Sequence, residues 1–409
     1  MTDPAKACCE PTMTDDLIDR LMQADRAAPA TPPAADVPAL RARRAKVQGA
    51  IEGCRRALFD PALIQPSLTQ RQCIAADLCE RTGARQLAAH YRTVERPDTA
   101  DRADTQDRHG TAEQAGAAVV PRAGELADDA TLVAMRHFAR TLNERPLEGD
   151  RALLSTLAEA GIGTAGAVAL AQLIGFLSFE LRVVAGLSAL QAATLPQRQP
   201  PPAQANHVAA SNAPPAGSLI ESHGFTNAVL GWHGWLPLVD IAHASPEQLA
   251  VLEASHPDAK VSEYYRLLVH QPAILQQRSD AYNAIMYAPG GLPRADRELA
   301  AMVVSRVNGC VYCASVHAQR FEQLARRNDA IVAVFADPDR VATAPRDTLI
   351  ARFSATLTRT PTADHTAAIS ELLGAGLAPL EVLDLIHVVA VFAWANRLML
   401  NLGEPVPQP

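Results

Sequence analysis

Apolar residues return at three- and four-residue steps through most of this chain, as in Leu249 and Leu252, Tyr264 with Leu267 and Leu268, Leu299 with Met302 and Val303, and Leu383 with Ile386, Val389 and Ala390. That spacing stacks side chains on one helix face, whereas runs alternating with period two, the mark of a half-buried strand, are few. The pattern predicts an all-α protein. It lapses in three places. Gln191 to Gly217 is rich in Pro, Ala and Gln and reads as an extended, semi-stiff linker. Ala27 to Pro38 reads as a tail or spacer, and the charged stretch Arg96 to Gly116 as a surface loop. These boundaries predict a flexible N-terminal tail over 1–38, a helical domain over 39–190, a linker over 191–219 and a second helical domain over 220–409. We find no run of about 18 uncharged apolar residues and expect no membrane span.

The two helical regions resemble each other. The segment from His137, HFARTLNERPLEGDRALLSTLAEAGI, aligns with the one from Arg352, RFSATLTRTPTADHTAAISELLGAGL, at a constant offset of 215 that continues to Arg182 and Arg397. Phe138 matches Phe353, Pro146 matches Pro361 and Gly161 matches Gly376. Further upstream His90 falls opposite His317, Gly83 opposite Cys310, Gln86 opposite Cys313 and Arg71 opposite Glu298. An internal duplication of an all-α unit explains this, with the thiols confined to the second copy.

Composition narrows the class. The 409 residues are 48% hydrophobic, enough to bury sizeable cores, and a net charge of −7 offers no basic footprint for nucleic acid. The opening MTDPAKACCEPTMTDD has no basic start followed by an apolar core, so no secretory signal is expected. Seven cysteines (8, 9, 54, 73, 79, 310 and 313) at irregular spacings fit reduced thiols in a cytoplasmic protein rather than a disulfide framework.

The chemistry concentrates in residues 298–317, ELAAMVVSRVNGCVYCASVH. Cys310 and Cys313 form a C-x-x-C, which on a helix sets the two one turn apart, with Cα atoms near enough (roughly 5 Å) for a disulfide. His317 lies four residues after Cys313 on the same face. Asn308-Gly309 is a turn signal that would leave Cys310 in the first turn of a helix, where the positive dipole end favours its thiolate. The local set lacks a fourth ligand for a closed zinc site. Glu298 follows Arg294, Asp296 and Arg297 and could be no more than a solvated helix start, and His317 a satisfied core histidine. His387 is expected to be a buried hydrogen-bonding group, and Trp232, His233 and Trp235 to be packing residues. Cys8 and Cys9 fall in the expected tail.

Glu298, the SRVNGCVYCASVH stretch and the later VFAWANRLMLNLGEP segment resemble the alkylhydroperoxidase D (AhpD)-like branch of the carboxymuconolactone decarboxylase superfamily. The resemblance is strong over 220–405 and weak over 40–190. It implies two tandem AhpD-like helical domains, the first a degenerate copy, and assembly of the chain as a homo-oligomer, a trimer imitating a hexamer of single units. It also implies thiol-dependent reduction of hydroperoxides, with Cys313 peroxidatic, Cys310 resolving, and Glu298 with His317 as a proton relay. An external dithiol, such as a lipoylated or thioredoxin-like protein, would re-reduce the redox-active disulfide between Cys310 and Cys313. Tyr312 stands where the family carries a His between the cysteines. The competing expectation is a redox-sensing or structural oligomer; the decarboxylase chemistry of other branches does not use a C-x-x-C. We expect no bound cofactor, no nucleic acid and no membrane partner.

Overall fold

The computed structural model describes residues 16–24, 36–94, 118–119, 129–194 and 213–408. It is an all-α protein. In the first half lie α1 (Leu17–Ala24), α2 (Val37–Ala42), α3 (Ala45–Leu58), α4 (Leu68–Arg81), α5 (Arg85–Arg92), α6 (Ala130–Glu144), α7 (Arg151–Glu159) and α8 (Thr164–Ala193). The second half contributes α9 (Pro246–Ser255), α10 (Glu263–Leu268), α11 (Pro272–Tyr287), α12 (Arg294–Val307), α13 (Val311–Ala325), α14 (Asp329–Ala336), α15 (Pro345–Arg359), α16 (Thr366–Gly374) and α17 (Pro379–Asn401). Their starts follow local chemistry. Ser67 and Gln70 cap α4 reciprocally at 3.3 and 2.9 Å, as do Ser245 and Gln248 on α9. Asp129 and Asp150 accept the free N–H groups of α6 and α7 at 3.0 and 2.7 Å. Proline, which has no N–H to waste there, opens α9, α11, α15 and α17.

Helices α8 and α17 lie face to face at the centre, and their apolarity all round demands this. Both are long and apolar enough to cross a membrane, counter to the expectation of no span: Gly163, Thr164, Gln172 and Ser178 break the apolar character of the uncharged stretch from Ala160 to Phe179, and Asp384 with Arg397 interrupt α17. Their most apolar windows are 83% and 100% buried inside the protein. Gly175 permits the close approach, since a Cβ there would sit 2.1 Å from Cδ1 of Trp394. Trp394 donates its indole N–H to Gln172 at 2.9 Å and meets Phe176 edge to face. A buried charge cluster also ties the halves together: Asp384 on α17 accepts two hydrogen bonds from Arg44 at 2.7 Å and one from Arg297 at 3.0 Å.

The expected tail over 1–38 is not a free tail throughout. Leu17, Ile18 and Met22 of α1 are buried, and Arg41 pairs with Asp16 and Asp19. So short a helix has no stability alone, and tertiary packing supplies what its sequence cannot announce. Residues 1–15, which include Cys8 and Cys9, lie outside the described residues, as do 25–35, 95–117, 120–128 and 195–212, and with them most of the three irregular stretches. Beyond 212 the chain is fixed to the second half, with Gly217 N donating to Glu322 at 2.6 Å. The GWHGWLP segment, read as packing, in fact begins in a strand: β5 (Leu230–Gly234), which pairs antiparallel with β6 (Gly403–Pro407). Two shorter antiparallel pairs precede it in the chain, β1 (Thr93–Val94) with β2 (Ala118–Val119) and β3 (Glu221–Ser222) with β4 (Phe225–Thr226).

Helix bounds correct the upstream correspondence by one residue. Helices α4 and α12 each have 14 residues and start 226 apart, and each is followed by a left-handed glycine, Gly83 or Gly309. Tyr91, not His90, thus falls opposite His317, with Leu87 opposite Cys313 and Ala84 opposite Cys310. Arg71 falls opposite Arg297 instead of Glu298, and both arginines are buried with their guanidinium groups on backbone carbonyls.

Candidate functional site

The turn expected at Asn308-Gly309 joins α12 to α13. Gly309 has φ 76°, a backbone conformation that requires glycine, and it packs beside the exposed Leu147 side chain of the first half. Cys310 then takes the N-cap position of α13, just outside the first turn, its N–H donating to Ser305 O at 2.8 Å. Cys313 follows one turn into the helix. The two thiols differ in access: Cys310 is 2% exposed and faces inward, whereas Cys313, 6% exposed, lines a cavity of about 570 Å³. Both are free thiols here.

One turn beyond Cys313, His317 projects to the same cavity. Its Nδ1 lies 2.5 Å from Oε2 of Glu298, which reaches across from α12 and is completely buried. Arg294, one turn before Glu298, donates to the other carboxylate oxygen at 2.5 Å. The edge-to-face ring of Phe392, 4.3 Å away between centroids, fixes the imidazole plane. With Nδ1 committed to Glu298, Nε2 is the nitrogen left to exchange a proton. Glu298 is therefore no solvated helix start. Burial alone would raise its pKa, but the His317 and Arg294 charges hold it below the usual carboxylate range.

The thiols reverse one expectation. Burial, then the adjoining Cys313 thiol, push the Cys310 thiol well above its ordinary pKa, and this outweighs the helix-start dipole that was to favour its thiolate. Among the described residues the opposing side chain is Asn396 of α17, held in turn by Asn308 at 3.0 Å and Ser305 at 3.1 Å. Tyr312 forms cavity wall, and burial pushes its hydroxyl up to about 12, so it holds its proton where a histidine would exchange one. His387, expected to be a hydrogen-bonding group, has no hydrogen bond among the described residues and instead stacks on Phe179, with its pKa lowered by burial to about 4. Trp232 is packing and more, since it donates to Met399 O at 3.0 Å and also lines the cavity.

Sequence reasoning missed several cavity residues. Arg294 was within reach, because it stands four residues before Glu298 on one helix. A second signal was compositional: five of the six tyrosines fall between Tyr264 and Tyr312, and all five line this cavity. Arg278, Phe392 and Asn396 arrive from helices whose spacing says nothing of what they face.

Fold and site together define an all-helical protein with a paired-thiol turn beside a buried His–Glu cavity. Residues 272–353 match the model of the carboxymuconolactone decarboxylase family. The match spans Glu298, Cys310, Cys313 and His317. No curated protein matches the chain.

Proposed function

We propose that the chain is a thiol-dependent peroxidase that reduces organic hydroperoxides through a disulfide cycle of Cys313 and Cys310. The observation that carries this reading is the sharing of one cavity by Cys313, His317 and Glu298, with the second thiol buried directly behind. His317 takes the Cys313 proton through Nε2 while Glu298 stabilises the imidazolium. The Cys313 thiolate attacks the terminal oxygen of ROOH, the O–O bond breaks, Cys313 becomes a sulfenic acid, and the departing alkoxide takes the His317 proton to leave as ROH. The Cys310 thiol displaces the sulfenic oxygen as water, forming the disulfide, and an external dithiol restores both thiols as it is oxidised to its own disulfide.

Steady-state turnover of cumene hydroperoxide, with a lipoylated protein, a thioredoxin or a simple dithiol as donor, tests the reading. Turnover no higher than that of a Cys313→Ala control would overturn it. The deep burial of Cys310 favours a second reading, a redox-responsive oligomer whose pair forms slowly and turns over poorly. Equal helix lengths 215 residues apart, in α6 with α15 and α7 with α16, support reading the chain as two tandem units with a thiol-free first copy. We read it further as a cytoplasmic homotrimer, and a monomeric mass in light scattering would contradict the trimer.

A further inference from the structure

Among the described residues, one charge in the cavity over Cys313 has no hydrogen-bond or ion-pair partner. Arg278, on α11, is 4% exposed and lines the same cavity as Cys313. Its guanidinium lies over two aromatic rings, 5.4 Å from the centroid of Tyr264 and 5.8 Å from that of Trp394, and no hydrogen bond or ion pair reaches it among the described residues. Its Nε is buried without an acceptor, and so is the hydroxyl of Tyr264 beside it. The carboxylates lining the cavity are committed elsewhere: Glu298 to His317 and Arg294, Glu263 to His233 and the Gly234 N–H, and Asp258 beside His256. A buried guanidinium normally finds an anion, because desolvation without one is costly. Here the rings supply part of the compensation. The remaining donors point to a group that the described residues do not provide.

We propose that Arg278 is the carboxylate-binding residue of this cavity, and that the substrate is an organic hydroperoxide with a ring-sized apolar body and a carboxylate. This rests on the peroxidase reading and adds the substrate class to it. The walls suit such a body, since Trp232, Tyr282 and Phe392 line the space, and about 570 Å³ lies within the range that holds a compact organic ligand. Planar guanidinium and carboxylate groups pair through two parallel hydrogen bonds, which would orient the far end of the substrate, and with it the O–O bond, relative to Cys313. Hydrogen peroxide could not use this contact.

The test separates binding from turnover. Affinities of the inert para-isopropylbenzoate and para-isopropylbenzamide for the full-length protein are measured by calorimetry, and KM values are compared for para-carboxycumene hydroperoxide and its methyl ester. The acid should be preferred over the neutral analogue by about 10- to 100-fold in both measurements, the worth of one charge-assisted pair. Arg278→Met should bring both preferences to about one, while Arg278→Lys keeps a reduced preference. Should Arg278→Met fail to fold, Arg278→Lys decides alone, and a preference equal to that of the natural protein overturns the assignment. Equal affinity of the natural protein for benzoate and benzamide also overturns it. A benzoate preference without turnover of any hydroperoxide would sink the peroxidase reading and leave the anion subsite standing; turnover of acid and ester with equal KM would do the reverse.

Discussion

Arg182 and Arg397, 215 residues apart, each reach from the long central helix of one half to close a helix of the other. Arg182 donates to Thr358 O in the last turn of α15 at 2.6 Å, and Arg397 donates to Asn143 O in the last turn of α6 at 2.7 Å. Each also donates to the carbonyl four residues back on its own helix, Ser178 O and Ala393 O, at 2.9 Å. Helix C-termini carry partial negative charge and unpaired carbonyls, so these cations are placed where the backbone needs them. Burial, then the repulsion of Arg397, lowers the pKa of Arg182. Arg182→Met and Arg397→Met should each destabilise by about 1 to 3 kcal/mol, because buried carbonyls lose their donors. The double variant should cost more than the two singles together, since either substitution alone already relieves the whole repulsion between the two cations and the second relieves nothing further. Urea denaturation of the three variants checks both statements, and strict additivity would exclude the coupling.

Glu298 sets a pH dependence of known sign. Its folded pKa is lowered from 4.5, so its ionisation stabilises the fold above 4.5, and that contribution is lost as pH falls through the lower folded value. Glu298→Gln should therefore be less stable at neutral pH by about 1 to 3 kcal/mol, with the deficit shrinking in acid. The same variant leaves His317 without the anion that stabilises its charged form, and peroxide turnover should fall at least about tenfold. Thermal melts from pH 3 to 8 would expose the wrong sign as a gap that widens toward acid.

The order of the two thiols follows from access. Cys313 lines the cavity and Cys310 does not, so peroxide should oxidise Cys313 first. After one equivalent of peroxide, Cys310→Ser should retain a sulfenic acid on Cys313 detectable by dimedone labelling and mass spectrometry. Cys313→Ser should take up no label. A sulfenic acid persisting only in Cys313→Ser would reverse the assignment.

What was legible in the sequence was local. Asn308-Gly309 marks the turn between α12 and α13 through its own backbone preference, and the three- and four-residue steps mark helices through a single face. Neither signal says what a face meets. Leu147 against Gly309, Asn396 beside Cys310 and Arg278 in the cavity wall are contributed by residues far apart in the chain, so tertiary packing alone brings them together. The misplacement of His90 opposite His317 has a similar cause. Identical residue type set His90 against His317, whereas the left-handed glycines that follow α4 and α12 align the two segments one residue away, on Tyr91. Helix α1 escaped notice because eight residues carry too few turns to show a period.

Tyr91 donates a short hydrogen bond to Glu180 of α8, a carboxyl sealed inside the first half. Burial raises the Glu180 pKa from 4.5 to about 7, and the Tyr91 hydrogen bond offsets only part of this. Between those two values the folded chain holds a proton that the unfolded chain has released, so stability falls as pH rises through that window. Glu180→Gln keeps an acceptor for Tyr91 and carries no charge. It should flatten that part of the profile and stabilise the protein above pH 7 by up to about 3 kcal/mol, with little change at pH 4. Equilibrium unfolding of the two proteins at pH 4, 6 and 8 makes the comparison, and a variant that loses stability at pH 8 would mean that Glu180 is held as a charged partner rather than as a buried acid.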